Sequence, residues 1–225
     1  MMTTTTTAVQ NLPEQRVTLN NVSWTTYESL LADHVDSSVP HFAYDQGMLE
    51  IVSPSTGHEE TNRTLAMLVE VIAEELLINV RNVGSMTFKR EDILRGFEPD
   101  TSFYIQSAPR VAGKVQLDAA VDPPPDLVIE IDVTSSSLNK LSIYAQMGIP
   151  EVWRYLPESD QVSILRLEEG AYAALNESPA FPSLTPDDLV RLVVASRSLQ
   201  RIDWLKNVRA WVRAREVAPD RSGDE

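Results

Sequence analysis

Residues 123–153, PPPDLVIEIDVTSSSLNKLSIYAQMGIPEVW, read as a buried strand, a polar turn, a short helix and the start of another strand. Over residues 126–133, Leu127, Ile129, Ile131 and Val133 fall on one face of the strand. Asp126, Val128, Glu130 and Asp132 fall on the other. Three carboxylates along one side of a β-branched strand cannot all be buried unpaired, because each isolated charge is costly to desolvate. Water, a cation or a basic side chain has to meet them, which marks this strand as part of a site as well as a scaffold.

Working outward, the helix of this stretch is expected over residues 138–147, closed by Gly148, with the serines at 135–137 as turn and N-cap residues. The strand beginning at Glu151 is expected to form a hairpin with residues 161–167 across Pro157-Glu158-Ser159-Asp160. Upstream, Thr56-Gly57-His58-Glu59 has the spacing of a capping box. Leu65, Leu68, Val69, Ile72 and Leu76 follow as an apolar stripe, which predicts a helix lying on a sheet. Two strands are expected at residues 84–92 and 96–105, then a loop over 106–122. Residues 41–53 predict a hairpin turning at Asp45-Gln46-Gly47. Before it, a short strand from Val17 leads into a helix capped by Thr25 or Thr26. Thr185-Pro186-Asp187-Asp188 opens a helix with its acids at the positive end of the dipole. A last amphipathic helix carries Ile202, Leu205, Val208 and Val212. The order of elements predicts an α/β fold: a mixed sheet flanked by helices, in one domain over residues 16–217. Residues 1–15, threonine-rich, are expected to be a disordered tail and residues 218–225 a polar one.

Composition narrows the function. Nineteen Lys and Arg stand against 33 Asp and Glu, a formal net charge of −14. Such a surface repels nucleic acid on average, so a DNA or RNA role calls for a local basic groove. Cysteine is absent, which excludes a disulfide framework and thiolate metal sites and points to a cytoplasmic home. No signal-like segment and no run of about 18 apolar residues is present, so a soluble protein without a membrane partner is expected.

The chemistry centres on Asp100, Glu130 and Lys140, with Asp132 and Glu59 as further candidates. If the strands carrying Asp100 and Glu130 are neighbours, their carboxylates converge at one end of the sheet. With a strand carbonyl, that of Ile131, and waters, they make a hard-oxygen site suited to Mg²⁺ or Mn²⁺. Such an ion polarises a phosphate and lowers the pKa of bound water. Lys140, in the first turn after the strand, can orient that water or stabilise developing charge.

PDLVIEI at 125–131, KLSIYAQMGIPEVW at 140–153, EPD at 98–100 and SPSTGHEE at 53–60 together resemble the Uma family of restriction endonuclease-like proteins, within the PD-(D/E)XK nuclease superfamily. The resemblance spans roughly residues 20–195. It implies a core helix, a β-meander, a second helix and a metal site on Asp100 and Glu130. It implies nuclease activity on DNA, and cutting both strands of a duplex suggests a homodimer. The superfamily's lysine stands two residues after the glutamate, where this chain has Asp132; in this family it moves to the following helix, onto Lys140. A first-helix acid, Glu59 or Glu60, belongs to the same pattern.

Each residue has a plainer reading. Asp126 after three prolines suits a strand entry, Glu59 a helix cap and Lys140 a solvated helix surface. His58 faces the sheet as a semi-buried histidine; His34 and His41 share no ligand spacing with it, so zinc is not expected. Trp153, Tyr155 and Trp204 read as packing residues. The competing function is a catalytically inactive nuclease-fold protein acting as an interaction or regulatory module. A nuclease subunit that needs a basic partner is the third option.

Overall fold

The computed structural model describes residues 14–132 and 138–216. The chain runs β1 (Gln15–Leu19), α1 (Trp24–Asp33), β2 (His41–Asp45), β3 (Met48–Ser53), α2 (Thr56–Glu75), β4 (Arg81–Asn82), β5 (Phe88–Arg90) and β6 (Arg95–Phe97). It continues with β7 (Thr101–Tyr104), α3 (Ala108–Val111), β8 (Leu127–Ile131), α4 (Lys140–Met147), β9 (Glu151–Leu156), β10 (Gln161–Glu168), β11 (Ala171–Leu175), α5 (Pro186–Ser196) and α6 (Arg201–Glu216). This is the expected mixed α/β class, but the strands form two sheets where one was expected. The first has the order β1-β3-β2-β6-β5 and the second β11-β10-β9-β8-β7-β4.

The two sheets are joined where a single strand was expected over residues 96–105. Glu98-Pro99-Asp100 interrupts that run and sends its halves into different sheets. Pro99 has no N–H to give to a ladder. Glu98 ties the crossing to the first sheet: its Oε2 accepts from the Phe42 amide at 2.8 Å, and its other oxygen accepts from the Thr87 hydroxyl. Asp100 is thereby fixed at the seam, one residue before β7.

Strand β8 lies in the middle of the second sheet, antiparallel to β7 and parallel to β9, with α4 on the connection between β8 and β9. Its alternation holds as read. Leu127, Ile129 and Ile131 pack into a core with α2, α5 and α6, whereas Val128 points to a second core shared with α4 and the first sheet. Val133 and Ser135–Ser137 lie outside the described residues. The face that carries Glu130 is thus covered by protein.

Local chemistry sets most element ends. Gln46 and Gly47 have φ of 48° and 101°, the doubly positive pair of a two-residue hairpin turn. Gly148, at φ 76°, stops α4. The capping box of α5 forms on Thr185 and Asp188. Two caps lie slightly upstream of their expected positions, since Ser23 caps α1 and Ser55 caps α2. In each case the serine hydroxyl accepts from the amide three residues on, so α2 has a single-sided cap at Ser55 in place of the box expected from Thr56 to Glu59. Residues 84–92 are strand only over β5 before a 3₁₀ turn at Glu91–Ile93, and the loop at 106–122 contains α3. Trp153, Tyr155 and Trp204 are core residues, as read.

Candidate active site

The three carboxylates on one side of β8 meet three different partners. Asp126 is a structural acid: its oxygens accept from the Ile105 and Ser107 amides at 2.6 and 2.8 Å and from the Ser107 hydroxyl at 3.0 Å. Asp132 pairs with Arg154 on the neighbouring strand. Glu130, 4 % exposed, is held by α4. Its Oε2 lies 2.6 Å from Lys140 Nζ, and its Oε1 accepts from Tyr144 Oη at 2.5 Å. Lys140 and Tyr144 are four residues apart, one turn along the same helix face.

Asp100 arrives from the seam and binds one peptide further along β8: its Oδ2 accepts from the Ile131 amide at 2.7 Å. A strand residue presents its N–H and C=O to the same edge, so the Ile131 carbonyl also faces the Asp100 side. Helix α2 reaches Asp100 with the polar end of its apolar stripe. His58 Nε2 is 3.2 Å from Asp100 Oδ2, and Asn62 Nδ2 donates to the Asp100 carbonyl at 2.8 Å. His41 from β2 brings Nδ1 to 3.7 Å from Asp100 Oδ1.

The electrostatics follow from burial and partners. Burial works to raise the Asp100 carboxyl, but His41, His58 and Lys140 outweigh it and hold the group well below the usual carboxylate range. Burial pushes the Glu130 carboxyl up; Lys140 pulls it down while the charge on Asp100 pushes it up again. Burial lowers Lys140, and the anions at Glu130 and Asp100 reverse this and raise it. The Lys140–Glu130 contact is therefore best described as an ion pair. Burial alone would lower both imidazoles, yet contact with Asp100 lifts His41 and His58 above their ordinary value.

A family model described as "Putative restriction endonuclease", Uma2, matches residues 24–197. The chain belongs to the Uma2 family. Its fold matches the crystal structure of a protein from Anabaena variabilis titled a putative nuclease of DUF820, with a TM-score of 0.53 and 18% identity over 76% of this chain and 99% of that one. A comparison with the curated proteins finds no match.

Of the residues that the sequence singles out, this Uma2 chain brings Asp100, Glu130, Ile131 and Lys140 to one place. Glu59 is elsewhere on the first turn of α2, where its ion pair is with Arg63 at 3.7 Å. Among the described residues no group of three or more His, Cys, Asp or Glu is arranged to hold a metal, so any ion here would rest on two carboxylates, a carbonyl and water. Several neighbours were not singled out. Asn62 and Tyr144 each stand four residues from a residue that was, and a polar side chain continuing the apolar stripe one turn before Leu65 is the signal that points to Asn62. Glu50, fully buried, is paired with Arg16 at 2.8 Å, and its charge reaches Lys140. Strand alternation alone gives no hint of Glu50, because its surroundings come from β1 and α4.

Proposed function

We propose that this protein is a divalent-metal-dependent endonuclease that hydrolyses phosphodiester bonds in DNA. In this reading Asp100, Glu130 and the Ile131 carbonyl hold Mg²⁺ or Mn²⁺, and Lys140 assists the attacking water. The observation that carries it is the meeting of two buried acids, one on β8 and one just before β7, beside one half-buried ammonium, within a fold and family of nuclease type.

The donors suit a hard cation: carboxylate and carbonyl oxygens with lone pairs to spare, and no sulfur. When bound, such an ion supplies Lewis acidity at the phosphate and a more acidic water. The chain's own residues do the rest. The Ile131 amide and His58 orient the Asp100 carboxylate and keep it ionised, and Tyr144 fixes the Glu130 rotamer. Lys140, fully charged, holds a water through its ammonium donors and offsets negative charge that builds on the phosphate. Within the same reading Glu59 is an acid at the start of α2, and Glu50 is the further acid that acts on Lys140. A duplex cut on both strands requires two such sites, so a homodimer in the cytoplasm is the expected working form.

The non-catalytic reading draws on the way Lys140 and Tyr144 engage both oxygens of Glu130. Cleavage of plasmid and oligonucleotide DNA by the purified protein with Mg²⁺ or Mn²⁺, at low salt, separates the two. Turnover abolished by Asp100→Ala and by Glu130→Ala supports the endonuclease; turnover unchanged by either removes the assignment.

A further inference from the structure

A groove of about 650 Å³ opens beside the Asp100 cluster, between the start of α2 and the end of α5. Its walls include Ser55, Gly57, His58, Arg63, Arg197 and Arg201, and Glu60 is the carboxylate among them. Three guanidinium groups and one carboxylate line it, and Asp160 neutralises Arg197, so Arg63 and Arg201 are the loosely held cations on a chain whose net charge is −14.

The arginines differ in how far they are engaged. Arg197 is bound to Asp160 at 2.7 and 3.0 Å and to the Tyr155 hydroxyl, so it is a fixed wall. Arg63, 82 % exposed, has only a long contact to Glu59 on its own helix. Arg201 contacts the Met67 sulfur at 2.9 Å and has no acid partner among the described residues. The groove floor carries a second signal. His58 is 4 % exposed, it lines the groove, and its Nδ1 has no hydrogen-bond partner. The opposite ring nitrogen contacts Asp100, so His58 belongs both to the groove lining and to the Asp100 cluster. At Gly57 an added Cβ would meet nothing within 4 Å, so the backbone at the α2 start lies open to the groove.

We infer that this groove is the phosphodiester-binding track of the site: Arg63 and Arg201 contact the phosphates of a DNA strand that passes over His58 toward the Asp100 cluster. Exposed, weakly paired guanidinium groups suit phosphate oxygens in geometry and charge. The proposal rests on the endonuclease reading for its substrate, but binding can be measured without turnover.

The test uses the full chain and a fluorescein-labelled DNA duplex of roughly 20 base pairs, with anisotropy titrations in EDTA over a salt series. The variants are Arg63→Glu/Arg201→Glu and a charge-matched control, Lys89→Glu/Arg166→Glu, away from the groove. The groove variant is expected to bind at least tenfold more weakly than the control. Neutral Arg63→Gln/Arg201→Gln is expected to lower the salt slope by about 1.8, two phosphates at ~0.9 each. Equal weakening by groove and control variants overturns the track, as does a wild-type protein that does not bind the duplex. In the cleavage assay, unchanged KM in the groove variant overturns the track while the endonuclease stands. Selective loss of binding in a protein without turnover has the opposite meaning.

Discussion

Two buried glutamates sit on adjacent parallel strands, and their surroundings differ in kind. Glu151, 2 % exposed at the start of β9, accepts from Trp153 Nε1 at 2.6 Å, the Ser178 hydroxyl at 2.6 Å and the Ala180 amide at 2.9 Å. All three donors are neutral and do not titrate in the ordinary range; Trp153 is on β9, and Ser178 and Ala180 are buried in the loop before α5. Glu130 on β8 has an ammonium, a phenol and the nearby Asp100 carboxylate instead. Burial raises the carboxyl in both cases, yet only Glu130 is offset by a formal charge. Neutral, saturated partners make Glu151 a joint of the scaffold. Charged partners make the state of Glu130 depend on the charges around it.

The largest effect that tests this contrast is on turnover. Asp100→Asn and Glu130→Gln keep the shape of each side chain, and each is expected to lower DNA cleavage by about 10³-fold or more, ~4 kcal/mol of transition-state stabilisation. Each change also sets an amide among donors, so about 1–3 kcal/mol of stability is expected to go with it, and cleavage is read per folded protein. A loss of cleavage that merely tracks a loss of folded protein would erase the distinction between the two glutamates.

Glu151→Gln should show the reverse. Its amide NH₂ would face donors, leaving buried groups unsatisfied at a cost of about 1–3 kcal/mol, read by denaturant unfolding. Specific activity of the folded fraction should be unchanged. The pH dependence has a definite sign. Because burial raises the folded carboxyl above its unfolded value, the contribution of Glu151 is fullest below the unfolded value and fades as pH rises through the folded one. The stability advantage of wild type over Glu151→Gln should therefore be greater near about pH 4 than near about pH 8.

The distinction between these glutamates was only half visible in the sequence. Glu130 stands out because it interrupts a strand of β-branched residues, and Lys140 because it follows at the next helix start. The alternation of β8 and the stripe of α2 are short-range patterns, so they survive intact in the fold. Glu151 looks like an ordinary strand-start residue, because its donors at Ser178 and Ala180 come from more than 25 positions away. The split of residues 96–105 was missed for a related reason: each half is strand-like, and only the pairing of Glu98 with Phe42 and Thr87 decides that they part. The groove arginines come from α2 and from the ends of α5 and α6, and no local period links them.

A smaller effect sharpens the contrast on the helix side. Tyr144→Phe removes one donor to Glu130 but leaves Lys140 in place. Cleavage should fall by roughly tenfold, with about 1 kcal/mol lost in stability. A full loss of turnover would mean that Tyr144 acts on substrate directly, and a wild-type rate would mean that Lys140 alone positions Glu130.

The smallest effect concerns Asp132, which stands two residues after Glu130 on the same side of the strand, where the resemblance read from the sequence leads one to expect a lysine. Its partner Arg154 is 40 % exposed and Asp132 itself 22 %. An ion pair so open to water is screened, and its net worth is at most about 1 kcal/mol. Nor does Asp132 contact Lys140 or Asp100; its pairing turns it along the sheet toward β9. Asp132→Asn should accordingly change stability by less than about 0.5 kcal/mol and cleavage by less than about threefold. A much larger fall in cleavage at unchanged stability would place Asp132 among the acids of the site. Two residues along one strand face would then behave alike, and the kind of partner a buried acid keeps would no longer tell scaffold from chemistry.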